Sequence, residues 1–138
     1  MTRMHLVLCL ALVHMIVACG HQPDLNNTVR VHNIEISEIV RPSMLYASPG
    51  EEVRWTNLRS TPIRLGFLTM RLLDEVGCDH GIKTLFGQMS DLVTIPPGQS
   101  VSLCFVHRGD LKYNIWLEPD NPRGPITPTA TIRVESNG

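Results

Sequence analysis

From residue 29 onward the chain alternates. Glu51-Glu-Val-Arg-Trp-Thr-Asn57 puts Val53 and Trp55 on one side and Arg54 on the other, and Ile63, Leu65 and Phe67 alternate with Arg64 and Gly66. Successive strand side chains point to opposite faces, so this pattern specifies half-buried strands rather than amphipathic helices, whose apolar residues recur about every 3.6 positions. The alternating runs are short, and Pro49-Gly50 and Pro96-Pro97-Gly98 punctuate them as turns. Val29, Val31, Ile34, Ile36 and Ile39 read as a first strand with one register break, and Met44 to Ser48 as the next. Leu92 to Ile95 follows, then Val101, Leu103 and Phe105 on one face. Leu111, Tyr113, Ile115 and Leu117 share another face, and Ala130, Ile132 and Val134 close the series. About eight short strands at this spacing predict an all-β antiparallel sandwich or barrel.

Thr69 to Gln88 departs from the pattern. Met70-Arg-Leu-Leu-Asp-Glu-Val76 is the best helical stretch after residue 29, and Gly77, Gly81 and Gly87 follow it. The segment is expected to be a short helix or irregular insertion between strands.

The N-terminus follows different rules. Arg3 precedes the run Leu6 to Val17, which is apolar except for His14. Its 12 residues are too few to cross a bilayer, which takes about 20. A basic start, a short apolar stretch and then small residues indicate a secretory signal. Ile16-Val17-Ala18-Cys19-Gly20 resembles the bacterial lipobox. That resemblance implies cleavage after Ala18 and a lipid on the Cys19 thiol. The expected organisation is a signal peptide at 1–18, a lipidated N-terminus and polar tether at 19–28, and one domain at 29–138. It implies a lipid-anchored protein of the cell envelope, held by Cys19 in the outer membrane and facing the periplasm or the cell surface.

With 12 Lys and Arg against 13 Asp and Glu, interspersed along the chain, no basic stripe suggests nucleic acid. Cys9 leaves with the signal and Cys19 carries lipid, so Cys78 and Cys104 remain. Two cysteines in an oxidising compartment most simply pair. The bridge would fasten the 69–88 insertion to the strand bearing Cys104 and contribute roughly 3 to 4 kcal/mol in the chain-entropy account.

Pro49-Gly50-Glu51-Glu52-Val53-Arg54-Trp55-Thr56-Asn57, then Pro97-Gly98-Gln99-Ser100, Gly109 through Lys112-Tyr113 and Ile132-Arg133-Val134 resemble the cupredoxins, the Greek-key sandwiches related to plastocyanin. The resemblance spans Ile39 to Glu135 and implies that fold. A blue-copper site needs two imidazoles and a thiolate, with a weak axial thioether. In the family the first histidine follows as Asn-x-x-x-x-Pro-His, whereas here Asn57-Leu-Arg-Ser-Thr-Pro62 leads to Ile63. The remaining ligands follow a Tyr-x-Tyr-x-Cys strand as Cys-x-x-His and then Met. Here Tyr113-Asn-Ile115-Trp-Leu117-Glu-Pro-Asp120 puts Leu117 in place of the cysteine and Asp120 in place of the histidine, and no Met follows. Ile63, Leu117 and Asp120 are therefore read as former copper-ligand positions, and no metal or other cofactor is expected.

An alternative metal site would use Cys78, His80, Cys104 and His107, a soft donor set suited to copper or zinc. It supports a rival reading as a copper-binding electron carrier or copper-handling protein. No Gly-x-Ser-x-Gly, phosphate-loop or His-Glu-x-x-His motif occurs, so no catalytic residues and no enzyme are expected. The expected function is a copper-free binding or structural module of the envelope. It would meet a protein partner through Thr69 to Gln88 and the Pro-rich Glu118 to Pro128.

Overall fold

The computed structural model describes residues 29–69, 73, 74, 76–83, 90–121 and 123–136. The proposed signal, Cys19 and the tether lie outside them. The described residues form ten strands. They are β1 Val31–Ile36, β2 Val40–Arg41, β3 Met44–Ala47, β4 Glu52–Asn57, β5 Ile63–Phe67, β6 Val76–His80, β7 Leu92–Ile95, β8 Ser100–Phe105, β9 Gly109–Trp116 and β10 Ala130–Val134. One sheet has the order β2-β1-β4-β8-β6 and the other β3-β10-β9-β5-β7. The all-β sandwich is as expected, with two strands more than the pattern suggested.

Two pairings depart from the antiparallel expectation. β1 runs parallel to β4 and β3 parallel to β10. The chain leaves β1 through β2, crosses to the other sheet as β3, and returns as β4 in the direction of β1. A crossover of this length is what a parallel pair requires. The register break in the first strand falls at Ser37 to Ile39, where the Ser37 amide donates to the Ile39 carbonyl at 3.1 Å. Ile34 and Ile36 point inward before it and Val40 after it, while Ile39, Val29 and Val31 are exposed.

The inward positions of both sheets fill the space between them. Trp55 lies at the centre, fully buried, with Phe67 and Tyr113 each 5.8 Å away in edge-on contact. Edge-to-face rings add about 0.5 to 1.5 kcal/mol per pair beyond area burial. Burial pushes the Tyr113 phenol upward, and the neighbouring Trp55 indole partly offsets that.

The 69–88 segment is only in part what the composition suggested. Val76 begins strand β6, and Leu73 and Ile82 on either side of it are buried in the core. Among the described residues there is no α-helix. Met70, Arg71, Leu72 and Glu75 of the expected helix, and residues 84–88 of the same segment, lie outside them. Cys78 and Cys104 form a disulfide at directly opposed positions of β6 and β8, as expected.

Candidate functional site

β4 carries Val53, Trp55 and Asn57 on its core face. A polar residue in that series must find partners, because an unpaired buried amide costs free energy. The Asn57 Nδ2 donates to the carbonyls of Thr61 and Ile95 at 2.9 and 3.0 Å, and Oδ1 accepts from the Arg59 amide at 2.9 Å. One fully buried side chain thereby closes the 58–62 loop on itself and ties it to β7. Sequence reading used Asn57 only as a motif letter; a polar residue in phase with Val53 and Trp55 was the available signal.

The loop delivers the chain to Ile63. β5 and β9 pair antiparallel with Arg64 opposite Trp116 and Leu65 opposite Ile115. One further step of that register sets Ile63 opposite Leu117, both facing the core and both buried. The two positions that the family resemblance singles out, 54 residues apart in sequence, thus meet at one end of the sandwich. Asp120 lies beside them, exposed in the turn that follows β9.

Between these loops is a cleft of about 420 Å³ whose walls include Arg59, Pro62, Leu117, Pro119 and Asp120. Arg59 is ion-paired to Glu38, and the Asn121 Nδ2 donates to Glu118 at 3.0 Å. The Pro-rich segment behind the cleft is fastened to β9. Leu117 N donates to the Pro125 carbonyl at 3.0 Å, and the Thr127 hydroxyl accepts from the Ile115 amide at 3.0 Å. The Asn114 amide adds a bond to the Thr127 carbonyl at 2.8 Å.

The other candidate residues do not assemble. Cys78 and Cys104 are joined to each other, so neither offers a thiolate. His80 Nδ1 and the Ser102 hydroxyl are 3.1 Å apart on the outer face of the first sheet, and His107 sits exposed in the turn between β8 and β9. Among the described residues no group of three or more His, Cys, Asp and Glu is placed to hold a metal. Asp79 accepts from the amides of Ile82 and Lys83 and caps the turn after β6.

A copper(I) structure of an amicyanin mutant aligns with a TM-score of 0.50 and 17% identity, covering 76% of this chain and 82% of that one. A reduced amicyanin mutant aligns with the same score and coverage at 16% identity. The fold is cupredoxin-like. No protein-family model matches the sequence, and no curated protein matches it.

The first of those amicyanin structures is a copper(I) form, so the donor chemistry at the end where Ile63 and Leu117 meet is the test of fit. Ile63 and Leu117 are hydrocarbon, and no Met follows Leu117 in the chain. Copper of that type requires imidazole and thiolate donors. Asp120 alone carries a ligating atom among the three positions, and the residues present do not fit a type 1 centre.

Proposed function

We propose that this chain is a lipid-anchored cell-envelope protein whose cupredoxin-like domain works without copper, as a binding module that uses the cleft between the 58–62 and 117–121 loops. The observation that carries this reading is the burial of Ile63 against the register position of Leu117. Two apolar side chains occupy the place where donors are needed. Each stabilises the fold by about 1.5 to 3 kcal/mol as ordinary core does. Export and anchoring are supported by the 12-residue apolar run that ends at Ala18-Cys19, since two or three acyl chains hold a protein stably to a membrane. The Cys78–Cys104 bridge suits an oxidising compartment. It also counts against the rival Cys/His centre, which needs both sulfurs as thiolates. Protein partners are assigned to the cleft; within the 69–88 segment, the described Leu73 and Ile82 are buried in the core.

The test is a copper titration of the full chain carrying Cys19→Ser, followed by native mass spectrometry and visible absorption. No stoichiometric copper and no thiolate-to-copper band are expected. One tightly held copper per chain would overturn the copper-free reading. Radiolabelled fatty acid should enter the natural chain and be lost with Cys19→Ser; equal labelling of both would overturn the anchor.

A further inference from the structure

On the outer face of the second sheet, Trp116 lies diagonally across β5 over Gly66. A Cβ at Gly66 would fall 2.2 Å from Trp116 Cζ3 and 2.8 Å from Cη2, with a Leu92 methyl carbon at 3.1 Å. Gly66 has no positive φ, so its backbone suits any residue. Glycine is favoured there by the close approach of the Trp116 indole and the Leu92 side chain, and the indole is half-buried. Around it is a cleft of about 260 Å³ formed with Arg64, Leu92, Pro119 and Asn121.

We infer that Trp116 is the floor of a saccharide subsite, and that the ligand is a sugar bearing a carboxylate. This deepens the reading of the chain as an envelope binding module and rests on it. A flat aromatic surface carries much binding energy at low entropic cost, and the apolar face of a pyranose ring is its natural complement. The cleft is slightly smaller than those enclosing drug-sized molecules, which suits a single ring. Arg64, opposite Trp116 across the β5–β9 ladder, makes no ion pair among the described residues, and its planar guanidinium matches a carboxylate. Asn121 is held by its bonds to Glu118 and the Arg123 amide, and keeps one Nδ2 hydrogen for a ligand oxygen. Pro119 and Asn121 also line the larger cleft, so a second ring would continue toward Glu118 and Asp120. Those two acids repel an anion and accept from hydroxyls, which places the carboxylate at the Arg64 end.

The experiment uses the full chain carrying Cys19→Ser and the disaccharide of N-acetylglucosamine and N-acetylmuramic acid as probe, with chitobiose as the carboxylate-free control. Calorimetry and tryptophan emission both report, since Trp55 is buried in the core and Trp116 is not. Saturable binding of the acidic disaccharide is expected, with affinity reduced about tenfold or more by Trp116→Ala, by Arg64→Gln and for chitobiose. Gly66→Ala, which displaces the indole without removing it, should also weaken binding, and near-ultraviolet circular dichroism checks that each variant is folded. Absent binding, or binding that survives Trp116→Ala in a folded variant, would overturn the inference. Because copper is titrated separately, a copper-free domain that ignores the sugar sinks only this subsite. A domain that binds copper and sugar sinks only the copper-free reading.

Discussion

Glu51 closes the turn before β4 twice over. Its amide donates to the Ser48 carbonyl at 3.1 Å, and its carboxylate accepts from the Ser48 amide at 2.8 Å. Gly50, with φ of 87°, takes the left-handed position that such a Pro-Gly turn needs. The Ser48 amide first, then His32 at 2.7 Å and the charge of Arg30, hold the Glu51 carboxyl below its ordinary 4.5, against a smaller opposing effect of burial. A depressed folded value means that Glu51 stabilises the fold at neutral pH and that this contribution drains away as pH falls through the folded value. Urea midpoints should therefore fall more for wild type than for Glu51→Gln between about pH 6 and about pH 3, so that the two converge in acid. A gap independent of pH would contradict this. The Pro-Gly turn was legible from two letters, because only a few residues satisfy its backbone. Partners of Glu51 were not legible, because His32 reaches it across a parallel β1–β4 pairing that no local pattern encodes.

At the scale of elements, the gap between sequence and structure is widest at β6. None of its five residues is buried, so it lacks the apolar alternation by which strands are recognised. It is placed instead by its ladder to β8, by the disulfide, and by Leu73 and Ile82 anchoring its two flanks. The expected helix overlaps β6 only at Val76, which is strand, and Met70, Arg71, Leu72 and Glu75 lie outside the described residues. The alternating strands β4, β5, β8, β9 and β10 were all readable, because each has one face in the core. With a separation of 26 residues, the bridge should contribute about 3.5 kcal/mol by restricting the unfolded chain. A Cys78→Ala/Cys104→Ala double variant is thus expected to lose about that much in urea unfolding. The core strands should stay folded, because the disulfide lies on the outer face. A loss under about 1 kcal/mol would show that Leu73 and Ile82 alone fix the segment.

Across the whole molecule, the sandwich was readable from the sequence, and the pairing of Ile63 with Leu117 rests on a different kind of signal. The sandwich follows from periodicity, a physical property of each strand. Ile63 and Leu117 were found only by matching short motifs, and the β5–β9 register supplies the spatial reason they belong together. The contact of Trp116 with Gly66 was missed, because a tryptophan at an outward position reveals nothing until its close approach to that glycine is seen. If copper was lost through side chains alone, restoring them should restore the metal. The variant Ile63→His/Leu117→Cys/Asp120→His places two imidazoles and a thiolate at this end of the sandwich, the trigonal set that blue copper uses. Its metal-free form should be less stable by about 3 kcal/mol, since two buried hydrocarbon side chains are replaced by smaller or polar ones. Added copper should recover part of that loss by binding the native state selectively. The expected product holds one copper per chain with an intense visible thiolate band, while the wild type stays colourless. A folded triple variant that takes up no copper would mean that the backbone at this end, and not only its side chains, has moved away from a metal-holding shape. In that case the cleft between the two loops would be a rebuilt surface rather than a site merely stripped of its ligands.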